Sequence, residues 1–295
     1  MRLANIIFVV ALLSLFSCSY PTVEEDNLEQ GIGNNIEDTT HTKKVSKIFY
    51  NVPSPLEMAN LIQKSGAEYI EDMLNAPDNQ YKYLTTANAA INLGVYGADL
   101  SYTRMFDQIQ KSISYLSSLK TLSDELGIPN DKGSIAVSRL EENMGNRDSI
   151  LQIISDTYAN ADTYLKENDR GNTATLIILG GWVEGLYIAT SLAENTKNKL
   201  IIKRIAEQKY SLNNLIELLK FYKEDKIVEY YIPKILELKD VFDKIEITYS
   251  KARIITDKKK KITIIDNKAE VKVDIQQIEE IHKIISKIRN EMINL

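Results

Sequence analysis

Residues 173–194 must be enclosed by other parts of this chain. The stretch includes Leu176-Ile177-Ile178-Leu179-Gly180-Gly181-Trp182-Val183-Glu184-Gly185-Leu186-Tyr187. It reads as a helix whose apolar residues do not keep to one side, so it is stable only when covered on most faces. A second stretch offers it a partner. From about Gln80 to Arg104 a second helical stretch carries Ala87, Ala90, Gly94, Gly97, Ala98 and Ser101, several of them three or four apart. One side of that helix is therefore thin. A glycine inside a helix costs about 1 kcal/mol against alanine. It is kept where another backbone, or a ligand, must come close.

The remaining periodicity is also helical. Ser54, Pro55 and Glu57 form a capping box opening a short helix to about Lys64. A second short helix is expected over Ala67–Leu74, ended by Ala76-Pro77-Asp78. Phe106–Leu126 places Ile109, Ile113, Leu116 and Leu119 on one face. Gly133–Met144 is a shorter helix, and Asn146 caps the next one, ahead of a loop at 168–172. Two amphipathic helices follow over Asn198–Tyr222 and Ile227–Ile245, with Pro233 kinking the second near its start or marking its first turn.

The texture then changes. Glu246-Ile247-Thr248-Tyr249, Ile262-Thr263-Ile264-Ile265 and Glu270-Val271-Lys272-Val273 favour strand, with a turn expected at Asp266-Asn267-Lys268. Asp274 and Gln277 cap a last helix with Ile275, Ile278, Ile281, Ile285, Ile288 and Met292 on one stripe. The expected fold is all-α: about nine helices packed as αα-hairpins, with a small β-hairpin at 246–273 before the last helix.

The N-terminus carries a different message. One basic residue, Arg2, precedes a mostly apolar run from Leu3 to Phe16, then Ser17 and the only cysteine, Cys18. These are the proportions of a secretory signal. Leu15-Phe16-Ser17-Cys18 resembles the lipobox of bacterial lipoproteins. The resemblance implies a signal peptide over 1–17, cleavage before Cys18, and acyl chains such as palmitate on Cys18. Each buried methylene contributes about 0.8 kcal/mol, so two or three chains anchor stably. With the richness in Ile, Lys, Asn and Tyr, the chain resembles helical lipoproteins of the Bacteroidota. That places it at the cell envelope, at the outer membrane, on the periplasmic or the surface face. Residues 18–48, low in hydrophobicity and bearing Glu24-Glu25-Asp26, read as a flexible tether. The acidic triplet resembles surface-export signals, though acidic linkers are common and an ordinary solvated linker is the preferred reading. Residues 49–295 form one helical domain.

Net charge is −5, so nothing draws nucleic acid to the chain as a main partner. Cys18 is spent on lipid, which leaves no thiolate for a metal. His41 and His282 stand apart from any ligand cluster, so no metal site is expected. No phosphate loop or nucleophile elbow implies a cofactor or a triad. Lys258-Lys259-Lys260-Lys261 is a solvated turn. Past the signal, no second apolar stretch reads as a membrane span.

Chemistry could reside in one constellation. Asp99 and Glu184 are carboxylates on the two glycine-bearing helices, and Tyr96, Tyr102, Trp182 and Tyr187 could line a pocket around them. Two functional classes follow. In the preferred one, the acids hydrogen-bond tyrosines or an arginine such as Arg104, and the chain is a non-enzymatic, lipid-anchored binding or scaffold module with an envelope protein or glycan as partner. In the other, Asp99 and Glu184 act as paired carboxylates of an envelope hydrolase or small-ligand enzyme, about 5–10 Å apart across a cleft.

Overall fold

The computed structural model describes residues 66–129, 137–143, 145–249, 253–257, 262–266 and 269–294, all in one compact unit. The helix expected over 54–64 and the lysine run 258–261 lie outside them. The fold is a helical bundle with a β-hairpin before the last helix. The α-helices are α1 (Thr86–Met105), α2 (Ile109–Glu125), α3 (Val137–Glu142), α4 (Arg147–Glu167), α5 (Gly171–Thr196), α6 (Lys199–Phe221), α7 (Lys226–Asp243) and α8 (Ile275–Ile293).

Helix α5 is the hub. It packs against α1, α4, α6, α7 and α8. Its length and mean hydropathy of 1.6 would suit a membrane span, contrary to the expectation that no second stretch does; 78% of that window is buried inside the protein, as a core helix requires. The α1–α5 crossing rests on glycine. A Cβ on Gly94 would stand 2.0 Å from the Ile177 carbonyl oxygen, and one on Gly180 would stand 2.0 Å from that of Ile91. The two backbones meet there directly, leaving no room for a ligand.

Capping follows local chemistry. Asn146 accepts from the Ser149 N–H, Asn198 and Asp225 cap α6 and α7, and Asp274 with Gln277 completes the capping box of α8. Pro233 lies inside α7, with helix on both sides, not in its first turn.

Four expectations need correction. Only a 3₁₀ turn, Glu71–Met73, forms within 67–74, and a second, Pro77–Lys82, delays α1 to Thr86. On α2, Ile109 and Ile113 are 43% and 45% exposed, whereas Ser112, Tyr115, Leu116, Ser118, Leu119 and Leu122 face inward. The hydroxyls explain that rotation: Ser112 Oγ donates to Thr103 Oγ1 and Ser118 Oγ to the Pro77 carbonyl. The hairpin also reverses elsewhere than at 266–268. Strand β1 (Glu246–Tyr249) pairs with β4 (Ala269–Lys272), and β2 (Arg253–Asp257) with β3 (Ile262–Asp266), all antiparallel. The reversal therefore falls between β2 and β3, whereas Asp266 belongs to β3 and Asn267 and Lys268 lie outside the described residues. A turn at 266–268 could pair only two short strands, while the central reversal pairs four.

Candidate functional site: a buried acid pair on one arginine

Asp99 of α1 and Glu184 of α5 come together just beyond the glycine crossing, and both are completely buried. Their carboxyls share a side-chain hydrogen bond, closer together than the about 5–10 Å of paired-carboxylate hydrolases. Their cation is Arg289 of α8, not Arg104. Arg289 Nε donates to Glu184 Oε2 at 2.9 Å, and Nη2 donates to Oε1 at 3.0 Å and to the Met73 carbonyl at 2.9 Å. Sequence reading passed over Arg289, yet its spacing was a signal. It sits four residues after Ile285 and three before Met292, a lone cation beside an apolar stripe.

One guanidinium cannot neutralise two buried carboxylates. Asp99 Oδ2 accepts the Asn75 N–H at 3.3 Å, and Oδ1 finds no donor. Two anions cannot share a hydrogen bond, so one acid keeps its proton. Burial, and then the charge of Glu184, push the Asp99 carboxyl well above the usual carboxylate range. Burial also raises Glu184, against the opposing pull of Arg289. Asp99 is therefore the neutral acid that donates to Glu184, and the cluster closes as one ion pair plus one carboxylic acid.

A pH dependence follows. With its folded pKa raised, Asp99 contributes stability that is fully present below the ordinary carboxylate range and is lost as pH rises through the raised value. Urea unfolding of wild type should lose stability toward alkaline pH, with a flatter profile for Asp99→Asn. Parallel profiles for the two proteins would refute the neutral Asp99.

The tyrosines are occupied too. Tyr96 donates to the Ala76 carbonyl at 2.9 Å, and Tyr102 accepts the Ile70 N–H at 3.0 Å. Burial raises both hydroxyls, that of Tyr102 to about 12. Tyr187 lies half-buried under the Arg289 guanidinium, 4.6 Å from its ring centre, and stacks on His282. Trp182 is buried, and its indole N–H has no hydrogen-bond partner among the described residues. Asp99, Glu184 and Tyr187 thus converge on Arg289, while Tyr96 and Tyr102 hold the chain's own segment 70–77.

Asn75 extends the network: its amide donates to Tyr83 Oη and Asn92 Oδ1. Tyr83 and Asn92 in turn donate to the carbonyls of Ile293 and Met292, which end α8 and lack helical partners.

His282 contacts Thr190, Ser286 and Glu194 at the protein surface. It lies in an open depression of about 820 Å³ shared with Lys283, Lys287 and Asn290. Neither Asp99 nor Glu184 lines it. His41 lies outside the described residues, and no group of three or more possible metal ligands occurs among those described. No protein-family model, curated protein or solved structure matches the chain.

Proposed function

We propose that the chain is a non-enzymatic binding or scaffold module, anchored by acyl chains on Cys18 at the outer membrane of the cell envelope. The observation that carries this reading is the state of the two acids. Asp99 and Glu184, the residues on which a hydrolase would depend, have no exposed surface and are committed to each other, to Arg289 and to the Asn75 amide. A general acid must reach the proton acceptor on its substrate, and neither carboxyl can. The anchoring half of the proposal rests on Leu15-Phe16-Ser17-Cys18 and the apolar run before it. The exposed polar faces of the helices are left to meet an envelope protein or glycan.

The test has two arms. Cys18→Ala should leave the precursor unprocessed or release the protein from the membrane fraction; an unchanged mass and unchanged membrane fraction would defeat the lipid anchor. Cross-linked envelope pull-downs with wild type and with Asp99→Asn should recover the same partners. Loss of one partner or product only in the variant would return those acids to a functional role.

A further inference from the structure

The most exposed large apolar side chains among the described residues gather at one end of the bundle. They are Leu84 at 86%, Tyr81 at 72%, Phe221 at 57% and Tyr230 at 51% exposure. Tyr81 and Leu84 precede α1, Phe221 ends α6, and Tyr230 lies early in α7. Side chains tie these elements together around the last turn of α8. Tyr83 donates to the Ile293 carbonyl, Tyr230 donates to Glu291, and Asn172 at the start of α5 donates to Asp225, the cap of α7. The apolar groups are held outward by their neighbours. Tyr83 and Gln80 are buried, which turns Tyr81 and Leu84 to solvent. Phe221 stands edge-on to Tyr222, whose hydroxyl fills the place of a Cβ on Gly171. Tyr230 is fixed by Glu291 and by Lys234 over its ring.

Apolar tips that project from turns and helix ends make a poor centre for a protein interface, which needs a closely packed core. They suit a bilayer surface, where rings and aliphatic tips enter at headgroup depth. Exposed Lys82, Lys220, Lys223 and Lys226 alternate with them, and such stems lie along the apolar boundary with their ammonium groups in water. Glu217, Glu224 and Glu229 stand among these lysines, so the contact is apolar rather than drawn by anionic lipid. The chain itself brings a bilayer within reach. Residues 18–65 join Cys18 to Gly66, and a coil of that length spans about 40 Å. The chain enters the bundle at the far end of α1, where Tyr102 accepts the Ile70 N–H and Glu71 pairs with Lys111. Helix α1 is about 30 Å long, so either end of the bundle can meet the lipid that holds Cys18.

We infer that the end bearing Tyr81, Leu84, Phe221 and Tyr230 docks onto the bilayer that carries the anchor, so that the bundle stands on the membrane with its β-hairpin end facing away. This inference rests on the lipid anchor proposed above, and it leaves the polar sides of the helices free for a partner.

The experiment reads depth at each end of the bundle, using the acylated protein in phosphatidylcholine vesicles that contain brominated lipid. Fluorescence of Leu84→Trp and of Phe221→Trp should shift to the blue and be quenched by the bromolipid, measured over the background of the buried Trp182. Ile113→Trp, at an exposed position toward the other end, should show neither change. Adding Tyr81→Ser and Leu84→Ser to Phe221→Trp should lower the docked fraction about tenfold or more, because two large side chains leave the interface. Intact mass reads the anchor separately. A protein without acyl chains overturns the anchor and this inference together. An acylated protein whose Leu84→Trp and Phe221→Trp variants are quenched no more than Ile113→Trp overturns the docking alone, and leaves that end to a protein partner.

Discussion

Replacing Arg289 by methionine is expected to destabilise the protein by about 3–5 kcal/mol, the usual cost of removing one partner from a buried ion pair. Methionine matches the length of the arginine stem, so packing changes little. What is lost is the twin bond to Glu184, the bond to the Met73 carbonyl and the cation that faces the two buried acids. Glu184→Gln should be costly for the mirror reason, leaving the guanidinium unpaired. Asp99→Asn should fall within about 1 kcal/mol of wild type, because a neutral amide can still donate to Glu184 and accept from Asn75. The pH response sharpens the contrast. In Arg289→Met, Glu184 loses the charge that opposed its burial, so the deficit should shrink as acid protonates it. Urea unfolding followed by circular dichroism at pH 5 and pH 8 measures all three. A methionine variant as stable as wild type at pH 8 would mean that the pair is not ionised.

The second large effect lies at the helix crossing. Gly180→Ala would push a methyl group to 2.0 Å from the Ile91 carbonyl oxygen, and Gly94→Ala to the same distance from that of Ile177. Both obstacles are backbone, which no rotamer change can move. Each substitution should therefore cost about 3 kcal/mol, the upper end for overpacking, despite the gain of about 1 kcal/mol that alanine brings to a helix. Gly185 supplies the control on the same helix. It is exposed, nothing lies within 4 Å of its missing Cβ, and Gly185→Ala should stabilise by up to about 1 kcal/mol. Thermal unfolding of the three variants separates the cases. Equal melting temperatures would show that α1 and α5 do not meet through their backbones.

Hydrophobic periodicity and cap chemistry are local, and what depends on them was legible. The all-round apolar character of 173–194 demanded enclosure, and α5 is the enclosed hub. The Asp274–Gln277 box and the Asn146 cap stand where short-range hydrogen bonding places them. The thin face around Gly94 announced a close approach, and the α5 backbone rather than a ligand fills the space. Where a local rule competed with a distant partner, the partner prevailed. Ile109 and Ile113 lost the inner face of α2 to residues whose hydroxyls meet Thr103 and Pro77. The reversal expected at 266–268 falls instead between β2 and β3, which pair with each other.

The acid pair marks the boundary between the two kinds of information. That Asp99 and Glu184 sit in apolar surroundings can be read from their neighbours along the chain. That Arg289 answers them, across 105 residues from Glu184, and that the segment around Met73 and Asn75 completes the enclosure, depends on how α1, α5 and α8 cross. A helix's repeat says which way a side chain points and nothing about which charge waits opposite. Only the packed bundle turned two candidate catalytic acids into one proton shared beside one guanidinium.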